Sequence, residues 1–218
     1  MREINERQYA DSPGTVLHWY DFICPFCYIG QQRNAILVQY GLHVVELAFQ
    51  AHTEIPSGGI PAGPRNGPMY AMLEHEAREA ELPLRWPKRL PNTRLALAAA
   101  EWIRRHHESA FPQLHKALFA AHFVLGEDLE DPGVIDRHAG AAGIDIADLH
   151  AALADGSAAG ALEDADRLGR KYGVQGTPAW LFAQGMITGL RGVAEFERLA
   201  QDAVRLSQRS GPLSRKLS

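Results

Sequence analysis

Hydrophobic residues along the chain follow two different spacings, and the change between them divides the sequence into three parts. The first part has two apolar runs with little alternation, Thr15 to Phe22 and Leu42 to Gln50. Such runs are typical of strands that are covered on both faces. Between them, the segment from Tyr28 to Tyr40 has apolar residues at helical spacing, and Gly41 is a residue that commonly ends a helix. Strand, helix and strand in this order predict a right-handed βαβ unit.

The second part begins with a proline- and glycine-rich loop from Pro56 to Pro68 and then becomes helical up to about Tyr172. The predicted helices of this part cover residues 69–82, 93–107, 111–125, 131–142, 145–155 and 157–172. In the third part, Ala179–Phe182 and Met186–Leu190 predict a β-hairpin, and Val193–Leu206 predicts a closing helix. The fold class is therefore α/β, with a βαβ unit and a ββα unit separated by a large all-helical insertion.

We expect the two outer parts to form one discontinuous domain, residues 14–55 and 160–207, and the helical insertion to cover residues 56–159. The polar segments at residues 1–13 and 208–218 are predicted to be flexible termini.

The two cysteines of the chain, Cys24 and Cys27, stand between the first strand and the first helix. This position puts Cys24 at or just before a helix N-terminus, where unpaired N–H groups and the helix dipole favour an anion. The thiolate is such an anion, and it is the nucleophilic form of cysteine. Pro25 suits the first helical turn because its missing N–H would have no partner there. The arrangement predicts thiol–disulfide exchange.

Two other interpretations of the cysteine pair are weaker. A structural disulfide would close a loop of only four residues, which constrains the unfolded chain very little. A zinc site would need two more ligands, and the sequence has no second cysteine pair or suitably spaced histidine pair. We therefore expect no metal.

Composition and charge exclude several classes of function. Hydrophobic residues make up 46% of the chain and charged residues 22%, as in ordinary globular proteins. The net charge of −4 gives no reason to expect nucleic acid or an acidic membrane as a partner. The N-terminal segment has no apolar core typical of a secretory signal, so we expect a cytoplasmic protein, where a Cys-x-x-Cys pair is more often redox-active than structural.

These features together resemble a known family. The strand, Cys24-Pro25-Phe26-Cys27 and helix, the helical insertion, and then Gly173-Val174-Gln175-Gly176-Thr177-Pro178 resemble the thioredoxin fold of the DsbA family. Within that family the sequence is most similar to the cytoplasmic FrnE-like branch, near the 2-hydroxychromene-2-carboxylate isomerases. The resemblance covers residues 15 to 206 and implies the sheet order second strand, first strand, third strand, fourth strand.

The resemblance also implies roles for individual residues. Thr177–Pro178 would be a cis peptide lying beside Cys24, and its backbone would bind an extended substrate. Pro25, Phe26, Thr177, Pro178 and Trp180 are the predicted substrate-binding residues. An ordinary trans turn at Thr177–Pro178 is the alternative.

His18 is the third predicted catalytic residue, six positions before Cys24. Family members often have an acidic residue there, beneath the second cysteine, that moves its proton. Histidine can carry out the same proton transfer because it titrates near neutrality, and a core histidine with one hydrogen bond is an equal alternative.

The resulting hypothesis is a thiol–disulfide oxidoreductase in which Cys24 is the nucleophile and Cys27 resolves the mixed disulfide. Its partners would be protein or small-molecule thiols and disulfides, and it would act as a monomer or homodimer. It would need no cofactor beyond its own disulfide, with glutathione as a candidate co-substrate. Two alternatives share the fold: a glutathione-dependent isomerase or transferase, and a non-enzymatic peptide-binding chaperone module.

Overall fold

The computed structural model describes residues 14–209, and its centre is a four-stranded mixed sheet in the order β2–β1–β5–β6. β1 (Thr15–Tyr20) pairs in parallel with β2 (His43–Ala48) and antiparallel with β5 (Ala179–Phe182), which forms a hairpin with β6 (Gly185–Thr188). This is the strand order that the resemblance implied. β1 is thus a central strand, flanked by residues from both ends of the chain.

The helices connect and cover this sheet. Their bounds are α1 (Pro25–Gln39), α2 (Pro68–Glu79), α3 (Arg94–His106), α4 (Phe111–Ala120), α5 (Pro132–Ala141), α6 (Ile146–Ala154), α7 (Ser157–Lys171) and α8 (Val193–Arg209). Each predicted helix is present, with bounds that differ by a few residues. The predicted helix 111–125 changes character, since α4 continues into a π-helix at Ala121–Leu125 that ends at the left-handed Gly126.

A second, two-stranded sheet was not expected from the sequence. β3 (Ile60–Pro61) pairs antiparallel with β4 (Arg89–Leu90). Each strand has two residues, and both strands lie in proline-rich connections for which the sequence predicts loops. The pairing holds the loop before α2 against the connector after α2, and together they form one wall of the groove described below.

The two faces of β1 have separate cores. Val16 packs with Leu37 of α1 and Phe196 of α8, and Trp19 packs on the other face with residues of α7. The approach of α7 to that face is close, because a Cβ on Gly169 would lie 2.9 Å from the Phe49 ring and 3.0 Å from the Trp19 indole nitrogen. A glycine is therefore required for α7 to lie this near the sheet.

The largest core belongs to the helical insertion and reaches the cysteines. Cys27 and Tyr28 of α1 lie in the same cluster as Phe22, Phe119 and Phe123. Tyr28 stacks on Phe123 of the π-helix, with 4.9 Å between the ring centroids. The insertion thus covers Cys27.

None of the helices in residues 14–209 has the length and hydropathy that a membrane span requires. The predicted flexible termini lie outside the described residues, apart from positions 208 and 209, which are the last residues of α8. The division into two domains stays a prediction.

Candidate functional site

Cys24 occupies the N-cap of α1, where its extended backbone (φ −82°, ψ 112°) turns the chain from the loop after β1 into the helix. The Cys24 carbonyl accepts hydrogen bonds from the N–H groups of Cys27 and Tyr28 at 3.0 and 3.1 Å, which start the helix. Pro25 is the first helical residue, so no N–H is left unpaired there. The Cys24 thiol therefore lies at the positive end of the helix dipole and is partly exposed.

Cys27 lies one turn into α1 and is fully buried. Both cysteines are free thiols in this structure. The difference in exposure means that a substrate disulfide reaches Cys24 first, whereas Cys27 can contact only a group already attached to Cys24.

The electrostatics of the pair separate the two thiols further. Burial raises the pKa of Cys24, but hydrogen bonds with the Cys27 thiol, Thr177 and the Cys27 backbone outweigh it and leave that pKa lowered. Burial raises the pKa of Cys27 well above its ordinary value, and the neighbouring Cys24 charge adds to this effect. The pair shares its protons, and the first proton to leave comes from Cys24.

Because the Cys24 pKa is lowered and the Cys27 pKa is raised, the two thiols should alkylate in different pH ranges. Brief iodoacetamide treatment of the reduced protein in mildly acidic buffer should label Cys24 at least about ten times faster than Cys27, since the thiolate is the reactive form. Peptide mass mapping measures the extent of labelling at each cysteine. The same treatment in denaturant should remove the difference, and preferential labelling of Cys27 in the folded protein would reverse the assignment.

Cys24 opens onto a groove of about 550 Å³. One side is formed by the cysteine loop, a second by the Gly176–Thr177 segment before β5, and the third by the insertion, through Ile60, Met69 and Leu90. The Cys24 thiol donates a hydrogen bond to the Thr177 carbonyl at 3.3 Å, and the Thr177–Pro178 peptide is cis. The structure thus brings together three segments that are far apart in the sequence.

The predicted substrate-binding residues divide between the groove and the core. Pro25, Phe26 and Thr177 line the groove and are partly exposed. Pro178 is buried behind Thr177, and its carbonyl accepts a hydrogen bond from the Gly189 N–H. Trp180 needs a correction: it is fully buried, and therefore it cannot contact substrate.

Trp180 instead lies on the face of the sheet that α1 covers, where its role is structural. Its ring stacks on His18 with 4.6 Å between centroids, and its indole N–H donates to the Asn34 side chain at 2.7 Å. The ring also leaves no space for a side chain at Gly30 of α1, where a Cβ would lie 3.3 Å away. Trp180 therefore fixes the distance between α1 and β5.

His18 is fully buried on β1, opposite Glu46 on β2. Its Nδ1 lies 2.9 Å from the Asn34 side-chain nitrogen and 3.8 Å from the Glu46 carboxylate, while its Nε2 has no hydrogen-bond partner among the described residues. Asn34 is two turns further along α1 than Cys27, and none of the described contacts of His18 includes Cys27. The transfer of a proton between His18 and Cys27 stays a prediction.

The Glu46 carboxylate connects this group to the insertion. The Nδ1 atom of His115 on α4 lies 3.5 Å from Glu46 Oε2, whereas His18 is near Oε1, and His115 is buried with no partner for its Nε2 in residues 14–209. Burial raises the pKa of Glu46, but His115, His18 and Asn34 outweigh it and lower the pKa to about 2. Burial lowers the pKa of His115 more than the Glu46 charge raises it. The histidines therefore surround a carboxylate that stays ionised.

Asp21 is a site residue that the sequence pattern did not identify. It is buried three residues before Cys24, where it accepts hydrogen bonds from the N–H groups of Ile23 and Ala51. Burial raises its pKa, and its charge raises that of Cys24. A single acidic residue inside the apolar run before the cysteines was the available signal.

Comparisons with known proteins agree with this geometry. Residues 15–201 match a sequence family described as a DSBA-like thioredoxin domain. No curated protein sequence matches the chain significantly.

Several solved structures have a similar fold. A probable DsbA oxidoreductase from Streptomyces coelicolor is 18% identical, with a TM-score of 0.71 over 94% of both chains. A 2-hydroxychromene-2-carboxylate isomerase is 20% identical, with a TM-score of 0.69 over 92% of this chain and 100% of that one. The cytosolic disulfide reductase DsbM from Pseudomonas aeruginosa, solved with GSH, is 16% identical, with a TM-score of 0.58 over 89% and 98%. At these identities the comparison establishes the fold.

Proposed function

Because the chain belongs to the DSBA-like thioredoxin domain family, we propose that it is a thiol–disulfide oxidoreductase that works through Cys24 and Cys27. The observation that carries the proposal is the asymmetry of the pair. Cys24 is partly exposed at the N-cap of α1 with a lowered pKa, and Cys27 is buried behind it with a raised pKa. A nucleophile and a protected resolving thiol need these two environments.

The reaction follows from this arrangement. The Cys24 thiolate attacks one sulfur of a substrate disulfide, the substrate S–S bond breaks, and one substrate thiolate leaves as a mixed disulfide forms at Cys24. Cys27 then loses its proton and attacks the Cys24 sulfur, which releases the second substrate thiol. The substrate gains two electrons, and the protein is left with a Cys24–Cys27 disulfide. Two external thiols, or one dithiol, reduce this disulfide by the same exchange steps: they are oxidised to a disulfide, and the protein returns to the dithiol.

The groove supplies the binding surface for this exchange. Thr177 stands 3.3 Å from the Cys24 sulfur, so a substrate sulfur that attacks or leaves Cys24 must pass beside the Thr177 backbone. Pro25, Phe26 and Met69 give the groove apolar walls. An extended segment containing a disulfide fits such a site, with backbone contacts at Thr177 and apolar contacts to the other walls.

The co-substrate and the compartment are further parts of the proposal. We propose that glutathione supplies or removes the electrons and that the protein acts in the cytoplasm, with no cofactor besides its own disulfide. The similarly folded cytosolic disulfide reductase from Pseudomonas aeruginosa, which was solved with GSH, supports both parts of this proposal by analogy.

Equilibration in mixtures of reduced and oxidised glutathione tests the proposed function. Acid quenching, alkylation and intact mass measurement should show one reversible transition of two electrons between the dithiol and the Cys24–Cys27 disulfide. The same preparation should reduce insulin when a dithiol reductant is supplied. A protein that remains a dithiol at every glutathione ratio and leaves insulin intact would contradict the proposal.

A further inference from the structure

Arg65 is the one cationic side chain among the residues that line the Cys24 groove and are described by the structure, apart from the titratable His52. It comes from the proline- and glycine-rich loop before α2, and it is partly exposed. No carboxylate in residues 14–209 lies within ion-pair distance of it. The acidic residue of the groove, Glu54, is bonded to His52 at 2.8 Å instead. An arginine without an anionic partner among the described residues therefore lines the same groove as the reactive cysteine.

The Arg65 guanidinium is also held in a fixed position. Its carbon lies 5.5 Å from the ring centroids of both Tyr70 and Trp86, and Nη1 donates to the Tyr70 hydroxyl at 3.1 Å. Trp86 is itself anchored, because its indole N–H donates to Glu74 at 2.8 Å. Two aromatic rings thus orient the guanidinium before any ligand arrives, which reduces the entropy lost on binding.

The remaining donors of Arg65 have no acceptor within residues 14–209. A guanidinium has five N–H donors, of which the described contacts use one, and Nε is buried without a partner in the same part of the chain. Their planar fork matches a carboxylate, which it binds through two parallel hydrogen bonds.

The nearby His122 does not compete for an anion, because burial and the Arg65 charge lower its pKa to about 4 and leave it neutral.

We propose that Arg65 is a specificity-determining residue that binds a carboxylate carried beside the disulfide or thiol of the substrate. This inference rests on the proposed function and defines its substrate class. The carboxylate has two sources, a small anionic disulfide of the glutathione type or an acidic residue next to a cysteine in a peptide, and both present the same group to the guanidinium.

Matched disulfides that differ only in charge test this assignment. The reduced protein is mixed with oxidised glutathione or its ethyl ester, and with disulfide-linked peptides that have Glu or Gln beside the cysteine. Alkylation and mass measurement give the second-order rate of Cys24–Cys27 disulfide formation. For each pair, the rate with the acid form is divided by the rate with the neutral form. This ratio is then divided by the ratio measured with dithiothreitol in place of the protein, which corrects for the intrinsic reactivity of the two disulfides.

The wild-type protein should prefer the acid form of at least one pair by roughly tenfold to a hundredfold, as expected for charge-assisted hydrogen bonds. The pair that shows the preference identifies the source of the carboxylate. Arg65→Gln should bring that ratio close to one, and Arg65→Lys should restore part of it because the charge is kept without the fork. Arg94→Gln is the matched control, since it removes the same charge from an exposed ion pair outside the groove and should keep the wild-type ratio.

The outcomes separate this inference from the proposed function. The role of Arg65 would be overturned if the wild-type rate ratios for both pairs lay within about twofold of one. It would also be overturned if Arg65→Gln kept the wild-type preference. In both cases disulfide exchange itself would stand. A wild-type protein that reacts with none of the four disulfides would overturn the proposed function and the inference together.

Discussion

Cys24→Ser should lower the rate of disulfide reduction to that of the buffer alone, whereas Cys27→Ser should keep the first step and stop at the mixed disulfide. The reason is that Cys24 is the thiol with the lowered pKa and access to the groove, and the hydroxyl of serine is not ionised at neutral pH. In Cys27→Ser the nucleophile remains, but the buried thiol that releases the substrate is gone. Turnover should therefore fall by at least about a thousandfold in both variants, because exchange needs an attacking and a resolving thiolate.

Intact mass measurement distinguishes the two variants. Cys27→Ser mixed with one equivalent of oxidised glutathione should gain the mass of one glutathione, and Cys24→Ser should gain none in the same time. Denaturant unfolding should accompany both measurements to show that each variant is folded. Multiple turnovers in Cys24→Ser would contradict the assignment of Cys24 as the nucleophile.

The fold was largely predictable because its signals are local. The apolar runs of β1 and β2, the glycine at position 41 and the N-cap at Asp131 each determine a boundary through nearby residues. The Cys-x-x-Cys pair and the Gly176-Thr177-Pro178 segment then indicated the family, and the structure places Cys24 and Thr177 in contact. What sequence could not supply was the pairing of Ile60–Pro61 with Arg89–Leu90, which depends on how two proline-rich segments meet.

Trp180 shows why exposure is harder to predict than contact. The family resemblance predicted the tryptophan to line the groove. In the structure its side chain instead lies on the face of the sheet that α1 covers, where it packs against His18. Arg65 shows the converse, since nothing in a glycine- and proline-rich loop indicates that one of its residues packs against both Tyr70 and Trp86.

The buried group around Glu46 depends on three segments that the sequence keeps apart. His18 is on β1, Asn34 on α1 and His115 on α4, and the carboxylate of Glu46 on β2 is within 3.8 Å of a nitrogen on each. Through His115, the insertion thus contributes a polar contact to the ionised carboxylate of the sheet beneath the active site. This contact gives stability a dependence on pH that can be measured.

Glu46→Gln should destabilise the protein by about 3 kcal/mol at most at neutral pH, which is the lowering of the Glu46 pKa from 4.5 to about 2 converted at 1.36 kcal/mol per unit. Part of that lowering comes from charged His115, and burial keeps His115 neutral at neutral pH. We therefore expect Glu46→Gln to lower the free energy of unfolding at neutral pH by about 2 kcal/mol. The new side chain has the same shape, so this loss reports the removed charge.

The sign of the pH dependence follows from the lowered pKa. An acid whose folded-state pKa is lowered stabilises the fold above its unfolded pKa, so the difference between wild type and Glu46→Gln should be complete above about pH 4.5. It should shrink as the pH falls from 4.5 towards 2, because the wild-type carboxylate then becomes protonated as well. Urea unfolding at a series of pH values from neutral to acidic measures this difference directly.

Glu163→Gln is the control, since Glu163 is exposed and pairs with Arg94 at the surface, where ion pairs contribute about 0–1 kcal/mol. A Glu46→Gln difference that stays constant across the acidic range would show that the carboxylate is not held ionised by its histidine and asparagine neighbours.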